Sequence, residues 1–87
     1  SKAIEDKHLI IKLLDSMADL DGVNVLIGSE NPAEGMRKLS IVVSTYKEGD
    51  RPIGTIGIIG PTRMDYVKAI NIVDTTAKFI TRMLSEK

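Results

Sequence analysis

Between Ile4 and Leu20, apolar side chains recur at Ile10, Leu13, Leu14, Met17 and Ala18, while Glu5, Lys7, Lys12, Asp15 and Asp19 take other positions. Steps of three and four residues keep side chains on one face of an α-helix, whose turn is about 3.6 residues, so this segment predicts an amphipathic helix with one buried stripe. Gly22, directly after Asp21, is suited to the left-handed conformation that closes a helix. The β-branched run from Val23 to Ile27 predicts a short strand. Gly28 to Lys38 holds Ser29, Asn31, Pro32 and Gly35 and predicts a loop, with Asn31-Pro32 able to start one helical turn.

From Leu39 to Tyr46 the period changes to two, which predicts a strand with Ile41, Val43 and Thr45 on one face and Val42, Ser44 and Tyr46 on the other. Lys47-Glu48-Gly49-Asp50 supplies a polar hairpin loop, and Ile53 to Ile59 resumes the extended pattern, so these two strands should pair antiparallel. Pro52 has no N–H for a ladder and belongs at the strand's start or on its outer edge, and Gly60-Pro61 ends the strand. From Met64 onward, Tyr66, Ile70, Val73, Ala77, Ile80 and Leu84 follow four- and three-residue steps, with a second row at Ala69, Ile72, Phe79 and Met83. The two rows widen the apolar arc of this final helix beyond one contact and predict two neighbours for it. Helix, strand, strand, strand, helix is an α+β order, a three-stranded, mainly antiparallel sheet with helices packed on it, and residues 1–87 read as a single domain.

Composition narrows what such a domain can do. Twelve Lys and Arg balance twelve Asp and Glu, 43% of residues are hydrophobic, and Tyr46, Tyr66 and Phe79 are the only aromatics. A neutral chain without an aromatic platform has little to offer phosphate or stacked bases, so nucleic acid is not its expected ligand. There is no cysteine, and His8 alone cannot supply the ligands that zinc needs, so neither a metal nor another cofactor is expected. No apolar run approaches the ~18 residues that span a bilayer, and the charged start does not read as a signal peptide. The chain should therefore be cytoplasmic, away from membranes.

Candidate chemistry is sparse. Gly54, Gly57 and Gly60 run toward a helix but match neither phosphate-loop spacing, and glycine within a strand more often marks a bulge or a close approach. Thr62 and Asp65 form a [ST]-x-x-[DE] pair that predicts a helix cap, with the threonine as N-cap. Arg63 is a cation where a helix start disfavours one, which singles it out as a partner or ligand contact. Asp19 with Asp21, and Glu30 with Glu34, lack a nucleophile or metal companion and read as solvated charge. Ser29, Ser40, Ser44 and Thr45 lack a nucleophile-elbow turn, and His8 reads as a surface residue, so an enzyme is not expected.

Three blocks carry a resemblance: Gly22 to Pro32, Leu39 to Val42, and above all Gly54-Thr55-Ile56-Gly57-Ile58-Ile59-Gly60-Pro61-Thr62-Arg63-Met64-Asp65-Tyr66. They resemble the C-terminal end of the bacterial heat-inducible transcription repressors of the HrcA type. The resemblance implies a GAF-like fold and membership of a repressor that binds an inverted-repeat operator as a dimer and controls chaperone operons. It further implies the chaperonin as a partner, and a separate N-terminal winged-helix domain, absent from these residues, as the part that reads DNA. The expected role of the 87 residues is regulation and support of dimerisation. Ile72, Phe79 and Met83 are the candidate association surface, covered either by the first helix or by a second copy. The alternative expectation is a sensor domain in which Gly57, Gly60, Arg63 and the Gly28 to Lys38 loop surround an anionic small molecule.

Overall fold

A computed structural model describes residues 7–28 and 37–86. In chain order these form α1 (Lys7–Met17), β1 (Val23–Leu26), β2 (Leu39–Glu48), β3 (Arg51–Pro61) and α2 (Tyr66–Ser85). This is the expected α+β order.

Helix α1 stops at Met17, short of the expected Leu20. Beyond it the N–H groups of Ala18 and Leu20 take the Asp15 and Met17 carbonyls at 3.3 and 3.2 Å, which tightens and closes the last turn. The Thr45 hydroxyl donates to the Ala18 carbonyl at 3.0 Å and draws that group toward the sheet. Gly22 has the predicted positive φ, 69°, but lies beyond the helix and turns the chain into β1. Ile4 to Asp6 and most of the expected loop, Ser29 to Met36, lie outside the described residues.

The sheet order is β1-β2-β3, and both pairings are antiparallel. Val23 to Leu26 face Ser44 to Ile41, and Leu39 to Tyr46 face Pro61 to Gly54, with a bulge between Tyr46 and Lys47. Gly49, at φ 60°, permits the tight turn between β2 and β3. Pro52 sits second in β3, which is an edge strand, as its missing N–H requires.

Period two in β2 divides the core into two layers. Ile41 and Val43 join Met17 under Leu9, Leu13 and Leu14 of α1, with Leu26, Leu39 and Ile59 beside them. Val42 points the other way, to Ala69 and Val73 of α2, among Val23, Ile56, Ile58, Met64, Tyr66 and Ile70. The sheet therefore stands between the helices. Neither helix packs on the other, so α1 does not cover the second apolar row of α2. That possibility assumed one face of the sheet for both helices, whereas the alternation in β2 demands a cover on each side.

The strand glycines are sites of close approach. A Cβ at Gly57 would stand 2.8 Å from Val43 Cγ1 and 3.0 Å from the Val42 carbonyl, and Gly54 lies beneath the Tyr46 ring. Among the described residues no helix is long and apolar enough to cross a membrane.

Candidate functional site

The turn from β3 into α2 joins several of the singled-out residues. The Met64 N–H closes on the Pro61 carbonyl at 3.1 Å, and this turn delays the helix until Tyr66. Asp65 is consequently the N-cap, with extended backbone and a carboxylate that accepts the Lys68 N–H at 3.1 Å. Thr62 does not cap. The predicted box placed the helix three residues too early, because the Pro61-to-Met64 turn uses the residues that would have formed its first turn. Thr62 contributes its carbonyl instead, which accepts the Tyr66 hydroxyl at 2.6 Å.

That bond ends a relay that sequence reasoning missed. Ser40 is fully buried, and its Oγ accepts the Gly28 N–H at 3.2 Å and lies 2.8 Å from the Tyr66 hydroxyl. A hydroxyl has one proton, and that of Tyr66 is committed to Thr62, so the Ser40 proton must point to Tyr66. Gly28, β2, α2 and the turn at Thr62 are thereby tied in one direction. A serine at a core-facing position of the apolar strand Leu39 to Val43 was the available signal.

Arg63 is exposed in this turn and makes no hydrogen bond or ion pair with the described residues. Gly57 pairs with Val43 and Gly60 with Ser40, positions of opposite parity that face opposite sides of the sheet. A Cβ at Gly60 would meet Met64 Sδ at 3.1 Å. The structure does not gather Arg63, Gly57 and Gly60 around one space. The loop expected to join them is outside the described residues apart from Gly28, Arg37 and Lys38.

On α2, Ala69, Val73 and Ala77 are buried against the sheet, while Ile72, Phe79 and Met83 are 48%, 52% and 54% exposed. These three share one flank of the helix, about 100° round from its buried face. Two clefts flank the sheet, one of about 310 Å³ between α1 and the start of β3 and one of about 430 Å³ between α2 and the Gly22 end of β1. Asp21 pairs with Lys47 at 3.2 Å and Asp74 with Lys78 at 3.0 Å. Among the described residues no three His, Cys, Asp or Glu side chains converge to hold a metal.

An open antiparallel sheet with a helix on each face and a half-exposed apolar row along one flank of the second helix defines an α+β domain with surface left to share. Over residues 1–70 the sequence matches the family described as HrcA protein C terminal domain. It is 45% identical over 86 residues to the heat-inducible transcription repressor HrcA of Thermodesulfovibrio yellowstonii, covering 99% of this chain and 25% of that protein. It is 46% identical over 83 residues to the repressor of the same name from Geobacter sulfurreducens, covering 95% and 24%. The chain belongs to the HrcA family. It spans about a quarter of the length of these relatives. A crystal structure of a hypothetical protein superposes with a TM-score of 0.84 over 98% of this chain and 26% of that one, at 18% identity, and shows the same fold. The element order is consistent with the GAF-like architecture that the resemblance implied.

Proposed function

We propose that this chain serves, within a heat-inducible transcription repressor of chaperone operons, as a non-enzymatic domain for regulation and dimerisation that leaves operator reading to another part of such a protein. The relatives carry that repressor name, and the observation that carries the dimerisation is the half-exposed row Ile72, Phe79 and Met83. Fully burying a side chain of this kind contributes about 1.5–3 kcal/mol relative to exposure, so a second copy of the row is a fitting cover. Operator reading needs clustered, uncommitted cations. Here Lys47, Arg51 and Lys78 are each paired with a carboxylate, and the other basic side chains among the described residues are spread over both helices, the strand ends and the turn at Arg63.

The proposed partners are a second copy of the chain, the chaperonin implied by the family resemblance, and operator DNA through the remainder of such a repressor. A cytoplasmic location accompanies that reading. Sedimentation equilibrium at micromolar concentration tests the association: a dimer mass is expected, with Phe79→Glu shifting it to monomer while circular dichroism stays unchanged. A monomer mass for the unaltered chain across that range would overturn the association.

A further inference from the structure

Ser40 and Ser44 are the two buried polar side chains of the described core, and they differ in one respect. The Ser40 hydroxyl is used twice. Ser44 is 7% exposed, yet its hydroxyl meets no hydrogen-bond partner among the described residues. Buried hydroxyls are ordinarily satisfied, so one without a partner among the described residues marks a place where a further group can bond. Ser44 faces α2, paired across the sheet with Val23 and Ile56, and it lines the cleft of about 430 Å³ beneath the second half of that helix.

Small residues of β2, α2 and the turn into β1 border the cleft: Ser44, Ala77 and Gly22. Its walls are held in place. The Thr81 hydroxyl of α2 accepts the Lys47 N–H of β2 at 3.0 Å, and Lys47 in turn reaches Asp21. Three cations line it, Lys47, Lys78 and Arg82, with one carboxylate, Asp74. Lys47 and Lys78 are committed to Asp21 and Asp74, whereas the Arg82 guanidinium has no ionic partner among the described residues. Groups of complementary kind thus border one space of ligand size: a buried hydroxyl and an exposed guanidinium, each without a side-chain partner among the described residues, whose donors suit a carboxylate or phosphate.

We propose that this cleft binds a small organic anion, its carboxylate or phosphate monoester on Arg82, its apolar body over Ala77 and a polar atom on Ser44. The site lies on the opposite flank of α2 from Ile72, Phe79 and Met83, so this proposal and the dimerisation reading can fail separately. It is also distinct from the glycines of β3 and from Arg63.

Amide chemical-shift titrations of the chain test it with three probes: hexanoate, phenyl phosphate and inorganic phosphate. Hexanoate or phenyl phosphate, whichever headgroup the site prefers, is expected to give saturable shifts centred on Ser44, Ala77, Thr81 and Arg82, with a Kd of about 1 mM or tighter. Arg82→Gln, a change at an exposed position, should weaken that probe about tenfold or more. Ser44→Ala, which removes a donor from the cleft, should weaken phenyl phosphate, whose ester oxygen is a polar atom beyond the charged ones, more than hexanoate, which has none, while leaving the unliganded melting temperature unchanged or higher. Arg63→Gln should bind as the parent does. The proposal is overturned by non-saturating shifts with both organic anions, by parent-like binding in Arg82→Gln, or by inorganic phosphate binding as tightly as either organic probe.

Discussion

Among the described residues, Asp65 is the single side chain that satisfies an orphan N–H at the start of α2, through the bond to Lys68. Asp65→Ala should cost about 1 kcal/mol in chemical denaturation, the usual value of a lost N-cap. Thr62→Ala should cost less than about 0.5 kcal/mol, because Thr62 is exposed and contributes through its carbonyl, which alanine retains. The reverse order would restore the threonine as the cap. Ser40→Ala is a different kind of loss, since it leaves the buried Gly28 N–H without its acceptor and the Tyr66 oxygen without its donor, at about 1–3 kcal/mol. Tyr66→Phe acts on the same relay, so the double variant should be less destabilised than the sum of the single ones. At Gly28 a Cβ would run into the carbonyls of Leu39 and Arg37, groups fixed in backbone, whereas at Gly54 it would meet the far end of the Tyr46 side chain. Gly28→Ala should therefore unfold at distinctly lower denaturant than Gly54→Ala, a comparison that needs only two melting curves.

The elements are unequally secured. In α1 only Met17 is buried, while β2 contributes Ile41, Val42 and Val43 from the centre of the sheet and α2 buries Ala69, Val73 and Ala77. Local opening follows such differences, so native-state hydrogen exchange should find β2 slowest, α2 next and α1 fastest by a wide margin. Equal protection of α1 and β2 would contradict the two-layer core. The alternation in Leu39 to Tyr46 made both β2 and its pairing with β3 legible, because period two can be read locally. The side on which each helix lies was not legible. Both helices carry an apolar stripe, and only the alternating faces of the assembled sheet decide that each takes its own side. The cap was misplaced for a related reason: the length of the turn after Pro61 depends on the Tyr66 bond to Thr62 and Ser40, which no local pattern announces. The row Ile72, Phe79 and Met83 was readable from the width of the apolar arc, whereas the cleft at Ser44 is assembled from β2, α2 and the turn into β1 and leaves no periodic trace.

For the whole molecule, an apolar contact between copies makes a definite demand on solvent conditions. Self-association through Ile72, Phe79 and Met83 should persist or strengthen as salt rises, whereas one held by ion pairs would weaken over a Debye length that shrinks from about 10 Å at 0.1 M to 3 Å at 1 M. Sedimentation in low and high salt separates the two. The balanced charge, twelve of each sign, makes a second demand. The chain alone should shift an inverted-repeat operator no more than a scrambled duplex of equal length, and operator-selective retardation by these 87 residues would refute the assignment of DNA reading elsewhere.

The position of Tyr46 and Tyr66 has an optical consequence. The chain contains no tryptophan and two tyrosines, so its intrinsic emission comes from those phenols. Tyr46 lies over Gly54 and Tyr66 is bonded to Ser40, both on the side of the sheet that α2 covers. Detachment of α1 would leave both rings in place and pass unseen by fluorescence, while removing an eleven-residue helix from the far-ultraviolet signal. One spectrometer would thus see half a domain, and the gap between its emission and ellipticity curves would time the release of the other half.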